Sequence, residues 1–533
     1  MKLTPAPAHA RIHLLLLGLG LVVQRYVLAE APGLPRVRVD PATHFFVDTS
    51  DRVRVFHGVN VVEKLPPFLP VSTGFDARNS LSEADILNLS SWGLNAVRLG
   101  VLWAGVMPQE GWVNATYLRT ARSFVRALAA RGIYTLVDMH QDSMGARYCG
   151  EGFPEWAVQK ALRLSGMNVS AANRFPKPFH WDMRVDPSGL PSREACSAHD
   201  FLLYYGTTEA SAAREAFFKD MHADFAAHWA AVASALRDET SVLGYELFNE
   251  PFSRSPGASD RRKLLPLYQA AHEAIRAHDQ RAIVFFEPHV LNGQFGLASD
   301  FPHGGPGGEL YNDRQAFAYH IYCQNGTESA VGLALCNVAL RTAWGSFRAN
   351  NARLGGGRML TEFGAVSDSP HALRVLRKSL DLADAHMQSW TYWSFKPYDD
   401  ITTNASPLSE GLYYRNGTLQ RQKLAELSRP YAPLISGKPI AWHYDADSLA
   451  FTLRYVCGSS AAPTVIFAHK AFHFPHGVCI SISPSEAARW EQPSENVVEV
   501  WHQSSSAGAE VEVAVSQRAA ASSCLVAPTP SLY

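Results

Sequence analysis

Two glutamates stand at the ends of two apolar, strand-like runs. Glu250 closes Tyr245-Glu246-Leu247-Phe248-Asn249-Glu250-Pro251, where the proline stops the strand, and Glu362 closes Arg358-Met359-Leu360-Thr361-Glu362-Phe363-Gly364. A pair of carboxyl groups held by separate strands is what hydrolysis of a glycosidic bond needs, one as proton donor and the other as nucleophile or base. The donor must keep its proton near working pH while its partner stays ionised.

Such a pair has to be positioned by a scaffold. Between residues 52 and 395 short β-branched runs alternate with longer segments of helical period, the pattern of βα units on a parallel sheet. Eight strands are expected: Val53 to Val59, Ala96 to Leu99, Tyr134 to Asp138, Val242 to Phe248, Ala282 to Glu287, Ala316 to Ile321, Arg358 to Thr361 and Ser389 to Ser394. Helical stretches at Ala121 to Ala130, Ala210 to Ala235, Leu264 to Ala277 and Ala372 to His386 lie between them. Eight repeats close most simply into a (β/α)8 TIM barrel, whose chemistry sits at the C-terminal ends of the strands. Polar residues collect at those ends: Arg98, His140, Asp142, Asn249, Glu250, His320, Tyr322, Glu362 and Trp393. An insertion from Ser143 to Thr208 follows the third strand and is expected to shape access to the site. After about Pro430 short alternating strands predict a C-terminal β-sandwich, either a carbohydrate or lipid binder or a scaffold covering one side of the barrel.

Composition narrows the function classes. In 533 residues, 47% are hydrophobic and 18% charged, enough for a large core and more than one domain. With 48 basic and 49 acidic residues the net charge is −1, which offers nucleic acid no basic field. Residues 1–29 are expected to be a signal peptide: Lys2 and Arg11 precede the apolar run Ile12 to Val23, with small residues for cleavage near Ala29 or Ala31. An uncleaved signal anchor is the alternative. The expected domains are then 1–29, a catalytic barrel over 30–430 and a sandwich over 431–533. Asn-x-Ser/Thr sequons at Asn88, Asn114, Asn168, Asn325, Asn404 and Asn416 suit a secreted or lumenal glycoprotein. Of seven cysteines, proximity pairs Cys149 with Cys196 and Cys323 with Cys336, leaving Cys457, Cys479 and Cys524 to supply one bridge. No metal is expected, because no Cys-x-x-Cys or paired-histidine spacing occurs.

The Asn249-Glu250-Pro251 and Glu362-Phe363-Gly364 elements, with Arg98, His140, His320-Ile321-Tyr322 and Trp393, resemble the retaining glycosidases of glycoside hydrolase family 5 over roughly residues 50 to 400. His57-Gly58-Val59-Asn60 with Lys64, Asp138-Met139-His140-Gln141-Asp142 and Tyr245 to Pro251 are similar to its endoglycoceramidase branch, which also has a C-terminal sandwich. The resemblance implies a monomer without a cofactor that acts on a glycolipid or oligosaccharide, with peripheral contact to membranes. It makes Glu250 the acid/base and Glu362 the nucleophile, about 5 to 5.5 Å apart. Arg98 and Tyr322 would hold Glu362 charged and Asn249 would donate to a sugar 2-hydroxyl. His140, Asp142 and Lys64 would bind sugar hydroxyls, and Trp393 would floor the ring. His320 is divided between sugar contact and a buried polar role. The apolar loop Leu65 to Val71 suits a greasy aglycone or packs on the sandwich. Alternatives are a glucosylceramidase, a β-glucanase or mannanase, and a non-catalytic glycolipid-binding relative.

Overall fold

The computed structural model describes residues 33–167, 175–254, 259–294, 297–323, 329–402 and 410–518. The expected signal segment, Cys524 and the sequons at Asn168, Asn325 and Asn404 lie outside the described residues. Three short strands come first: β1 (Arg38–Val39), β2 (Phe46–Val47) and β3 (Val53–Arg54). Eight parallel strands then close into a barrel: β4 (His57–Val61), β5 (Ala96–Gly100), β6 (Tyr134–Asp138), β7 (Val242–Glu246), β8 (Ile283–Phe286), β9 (Gln315–Ile321), β10 (Gly357–Phe363) and β11 (Trp390–Tyr392). Their residues are almost all buried, as expected for strands covered on both faces, and alternation decides which way each points. Outward residues such as Val97, Val137, Tyr245 and Phe317 join the large cluster under the helices; inward residues such as Ala96, Leu136, Phe285 and Met359 form a smaller one.

The expected strand Val53 to Val59 is two strands. Val53 and Arg54 pair with β12 (Tyr431–Ile435), and the chain enters the barrel only at His57. The expected helix Ala210 to Ala235 is likewise two, Thr208–Asp220 and His222–Leu236, separated at Met221, where the backbone leaves helical geometry. The remaining strands, β13 (Gly437–Asp445), β14 (Ala450–Cys457), β15 (Thr464–Phe467), β16 (Val478–Ser483), β17 (Ala488–Ser494), β18 (Val497–His502) and β19 (Glu510–Gln517), complete a sandwich. One sheet runs β1-β2-β3-β12-β15-β18-β17 and the other β13-β14-β19-β16. Its first three strands therefore come from the segment ahead of the barrel.

The sandwich docks at the N-terminal end of the barrel strands. His57, the first residue of β4, is stacked between Trp390 and Tyr431 at centroid distances of 4.2 and 3.8 Å. Beside it the Arg429 guanidinium reaches Asp381 and Asp384 on the helix Pro370–Ala385, and the Trp442 indole donates to Asp384 at 3.2 Å. The opposite, C-terminal end stays clear of the sandwich and carries the long excursions. The insertion there is structured: it contains the helix Glu155–Leu164 and is closed by the Cys149–Cys196 disulfide. Cys323 is bridged to Cys336 on the helix Ala330–Leu354, Cys479 is also disulfide-bonded, and Cys457 is a free buried thiol. Among the described residues no helix is long and apolar enough to cross a membrane.

Candidate active site

The two glutamates converge at the C-terminal end of the barrel. Glu250 lies just past β7, where its own φ of 43° puts a non-glycine residue in the left-handed region, a conformation held only by its surroundings. Those surroundings are specific. Asn249 N–H donates to the Met139 carbonyl, the Asn249 side chain donates to the Gln141 carbonyl at 3.0 Å, and Gln141 donates back to the Asn249 carbonyl at 2.8 Å. Glu362 sits inside β10, next to a register shift between Leu360 and Glu362 that redirects its side chain. Gly364 ends the element at φ 96°, and a Cβ there would lie 2.2 Å from the Tyr392 ring, so glycine is required. Oxygens of Glu250 and Glu362 and a ring nitrogen of His320 all come within 4.8 Å of one another. So close an approach of oxygens suits a retaining pair and leaves little room for the water that inverting enzymes hold between their carboxyl groups.

The two carboxyl groups have unlike neighbours. Glu362 accepts from the Arg98 guanidinium on one oxygen and from the Tyr322 hydroxyl, at 2.7 Å, on the other. Burial, and then the charges of Glu362 and Glu250, push the Tyr322 phenol well above its usual range, so it remains a donor. Glu250 instead meets His320 Nδ1 at 2.8 Å. Burial drives His320 down to about 3, so the ring is neutral and can face either a carboxylic acid or a carboxylate, according to its tautomer. The Glu250 side chain is also the more open, 19% exposed against 5% for Glu362.

Beneath them lies a group of charges that no local pattern announces. Arg98, fully buried, touches Asp138 at 3.0 Å, Glu246, Glu287 at 3.7 Å and Glu362, and donates to Asn60 and Asn249 at 3.0 Å each. Burial would deprotonate the guanidinium, but four carboxyl groups hold its charge far more firmly than usual. One cation cannot balance four buried anions. The surplus is relieved by protons: burial pushes Glu246 up to about 7, and burial and the neighbouring Glu246 push Glu287 well above the usual carboxylate range. Asp138, Glu246 and Glu287 were absent from the residues expected at the site; the available signal was a charge at an inward position of an otherwise apolar strand.

The other expected residues also gather here, several in roles different from those foreseen. His140 is opposed by burial, but Asp138, at 2.8 Å, and Asp142 outweigh it and lift the ring to about 9. Lys64 is no solvated loop lysine: it is buried and donates to Asp142 and to the Thr402 hydroxyl at 2.6 Å each. Burial opposes the Lys64 charge, yet Asp142, Asp400 and Glu151 raise it above its usual range; burial also opposes the Asp142 carboxylate, which Lys64 and His140 hold down. Lys64 and Asp142 thus present one locked pair to a ligand. His320 is a buried partner of Glu250, 2% exposed. The Asn249 oxygen is taken by Arg98, which orients the amide nitrogen. Trp393 belongs to a buried apolar cluster with Val62 and Leu102, against which the partly buried Phe68, Tyr322 and Ala365 pack; it lies over His140 at 5.2 Å and donates to Glu410 at 3.2 Å. The apolar loop therefore packs Phe68 beside Trp393, away from the sandwich. Although the sequence has no paired ligand spacing, the fold does group Glu250, His320 and Glu362, as well as Glu246, Glu287 and His320, closely enough for a metal ion. In the first group His320 Nδ1 is hydrogen-bonded to Glu250 at 2.8 Å and lies 3.5 Å from Glu362.

Comparison with known proteins places this geometry. Residues 67–399 match the model for cellulases of glycosyl hydrolase family 5, and residues 429–515 match the glycoside hydrolase family 5 C-terminal domain. The chain is 32% identical to an endoglycoceramidase of Cyanea nozakii, covering 89% of this chain and 92% of that one. It is 28% identical to endoglycoceramidase I of Rhodococcus hoagii, over 85% and 83%. In structure it is similar to endo-glycoceramidase II from Rhodococcus sp. in complex with ganglioside GM3, with a TM-score of 0.71, 23% identity and coverage of 89% and 99%.

Proposed function

Because the chain belongs to glycoside hydrolase family 5, we propose that it cleaves glycosphingolipids between oligosaccharide and ceramide by a retaining double displacement. The observation that carries the chemistry is the unequal environment of two carboxyl groups whose oxygens come within 4.8 Å. Glu362, between a guanidinium and a phenol, is the nucleophile: it attacks the anomeric carbon while Glu250 gives its proton to the departing ceramide oxygen. The resulting glycosyl ester is opened by water. Glu250 takes the proton from that water, whose oxygen bonds to the anomeric carbon as Glu362 leaves. Neutral His320 can follow both protonation states of Glu250 without imposing a charge.

An amphiphile needs a two-sided cleft. Lys64, Asp142 and charged His140 offer hydrogen bonds to sugar hydroxyls, while Trp393 and Phe68 offer apolar surface at the same rim. The relatives named endoglycoceramidase and the GM3 complex support this substrate class. A secreted or lumenal location is part of the proposal, supported by the disulfides.

The test is a panel of defined glycolipids and polysaccharides with products identified by mass. Intact oligosaccharide plus ceramide is expected; stepwise monosaccharides would select an exo-acting enzyme instead. Glu362→Gln should lower turnover by roughly four orders of magnitude while sugar-lipid binding persists. Parental activity in that variant would remove Glu362 from the nucleophile's role.

A further inference from the structure

The helix Ala330–Leu354 carries an apolar face that is exposed. Gly332, Cys336, Leu340 and Ala343 pack inward, whereas Val331, Leu335 and Val338 are 73%, 66% and 66% exposed. Their spacing of four and three puts them on one face, opposite the packed one. No charged residue falls between Ser329 and Leu340, and the helix then bears Arg341, Arg348 and Arg353 with no acidic residue along its 25-residue length. An apolar first part followed by the exposed Arg341 and Arg348 complements an anionic lipid surface, whereas Arg353 donates to the Phe301 and Ser299 carbonyls.

The position of this face matters as much as its composition. Cys336 is bridged to Cys323 with their Cα atoms 5.6 Å apart, and Cys323 directly follows Tyr322, whose hydroxyl donates to Glu362. The exposed residues flank Cys336 within about one and a half helical turns, so the disulfide pins the apolar face to the rim of the active site. Partly buried Tyr322 and Ala365 pack there against the buried Trp393.

We infer that the N-terminal part of the helix Ala330–Leu354 is a membrane-docking element that inserts Val331, Leu335 and Val338 into a lipid surface beside the active-site opening. The inference deepens the glycosphingolipid reading, on which it rests: an enzyme that takes its substrate from a bilayer gains from holding its opening against that bilayer.

The experiment floats the full chain with glycolipid-free vesicles, one set of phosphatidylcholine and one set doped with phosphatidylserine. Binding to both is expected, stronger on the anionic set. Replacing all three residues (Val331→Ser, Leu335→Ser, Val338→Ser) should cut the bound fraction about tenfold or more, with the melting temperature unchanged. Arg341→Glu should remove the preference for phosphatidylserine, a readout independent of the triple variant. Unchanged flotation of the folded triple variant overturns the inference. So does a parent dimer, seen by sizing chromatography, that the substitutions split, because the face would then belong to a second copy. These vesicles contain no substrate, so a protein that floats on them yet leaves glycosphingolipid uncut sinks the functional reading and leaves this one standing.

Discussion

The lower and upper halves of the barrel interior are built by the same strands and are chemically opposite. One residue separates Ala96 from Arg98, Leu136 from Asp138, Gly244 from Glu246, Phe285 from Glu287 and Ala318 from His320. Each pair shares a face of its strand, about 6.6 Å apart. The lower side chains, with Phe46, Phe56 and Met359, make an apolar plug; the upper ones make a cluster of ionisable groups around Arg98. Both halves are buried. Burial therefore does not decide polarity here; the difference is that the upper layer must orient two reacting carboxyl groups, at the expense of stability that the lower layer supplies.

The contrast is open to attack from both sides. Arg98→Met leaves several buried carboxyl groups without their cation and should cost about 3–5 kcal/mol in denaturant unfolding, with turnover falling to background. Met359→Ala, in the plug, should cost a comparable or smaller amount, about 2–5 kcal/mol, yet leave kcat per folded molecule unchanged. Loss of activity from the plug variant at full folding would erase the distinction.

A smaller effect is a pH dependence confined to the upper layer. The Glu246 carboxyl is raised in the folded protein to about 7, above its unfolded value near 4.5. Its contribution to stability is thus fully present below about pH 4.5 and lost as pH rises through 7. Glu246→Gln should flatten the unfolding free energy across that window, and an unaltered slope would show that Glu246 is not the group titrating. Smallest of all is the sandwich junction, where burial and Arg429 lower His57 well below its usual range and neither ring nitrogen has a hydrogen-bond partner. His57→Phe keeps the stack between Trp390 and Tyr431 and should change stability by about 1 kcal/mol or less, in the stabilising direction, with no effect on kcat.

Legibility from sequence followed the range of the determining contact. Glu250 and Glu362 stood out because an acidic residue at the end of an apolar run is a local signal, and Arg98 and His140 shared it. Val53 to Val59 misled because an uninterrupted strand-like run does not reveal its partners; Val53 pairs with Ile435, across the whole barrel sequence. Lys64 could be placed near the site but not paired, since Asp142 and Thr402 are 78 and 338 residues away. Glu246 was read only as part of a strand, although its inward position followed from the same alternation that located the strand. Glu410, which accepts from Trp393, and Tyr205, whose hydroxyl donates to Asp142 at 3.1 Å from the short helix Leu202–Tyr205 of the insertion, reach the site only through tertiary contacts.

One sheet of the sandwich is stitched from both sides of the barrel: β3 lies against β12, although some 375 residues are made between them. On a ribosome the earliest strands must wait, with their edge unfilled, until nearly the whole polypeptide has emerged. A nascent chain halted after the barrel would expose that edge to neighbours on the same polysome. Biogenesis thus depends on the sandwich strands from Tyr431 onward, although among the described residues none of their side chains belongs to the site around Glu250 and Glu362.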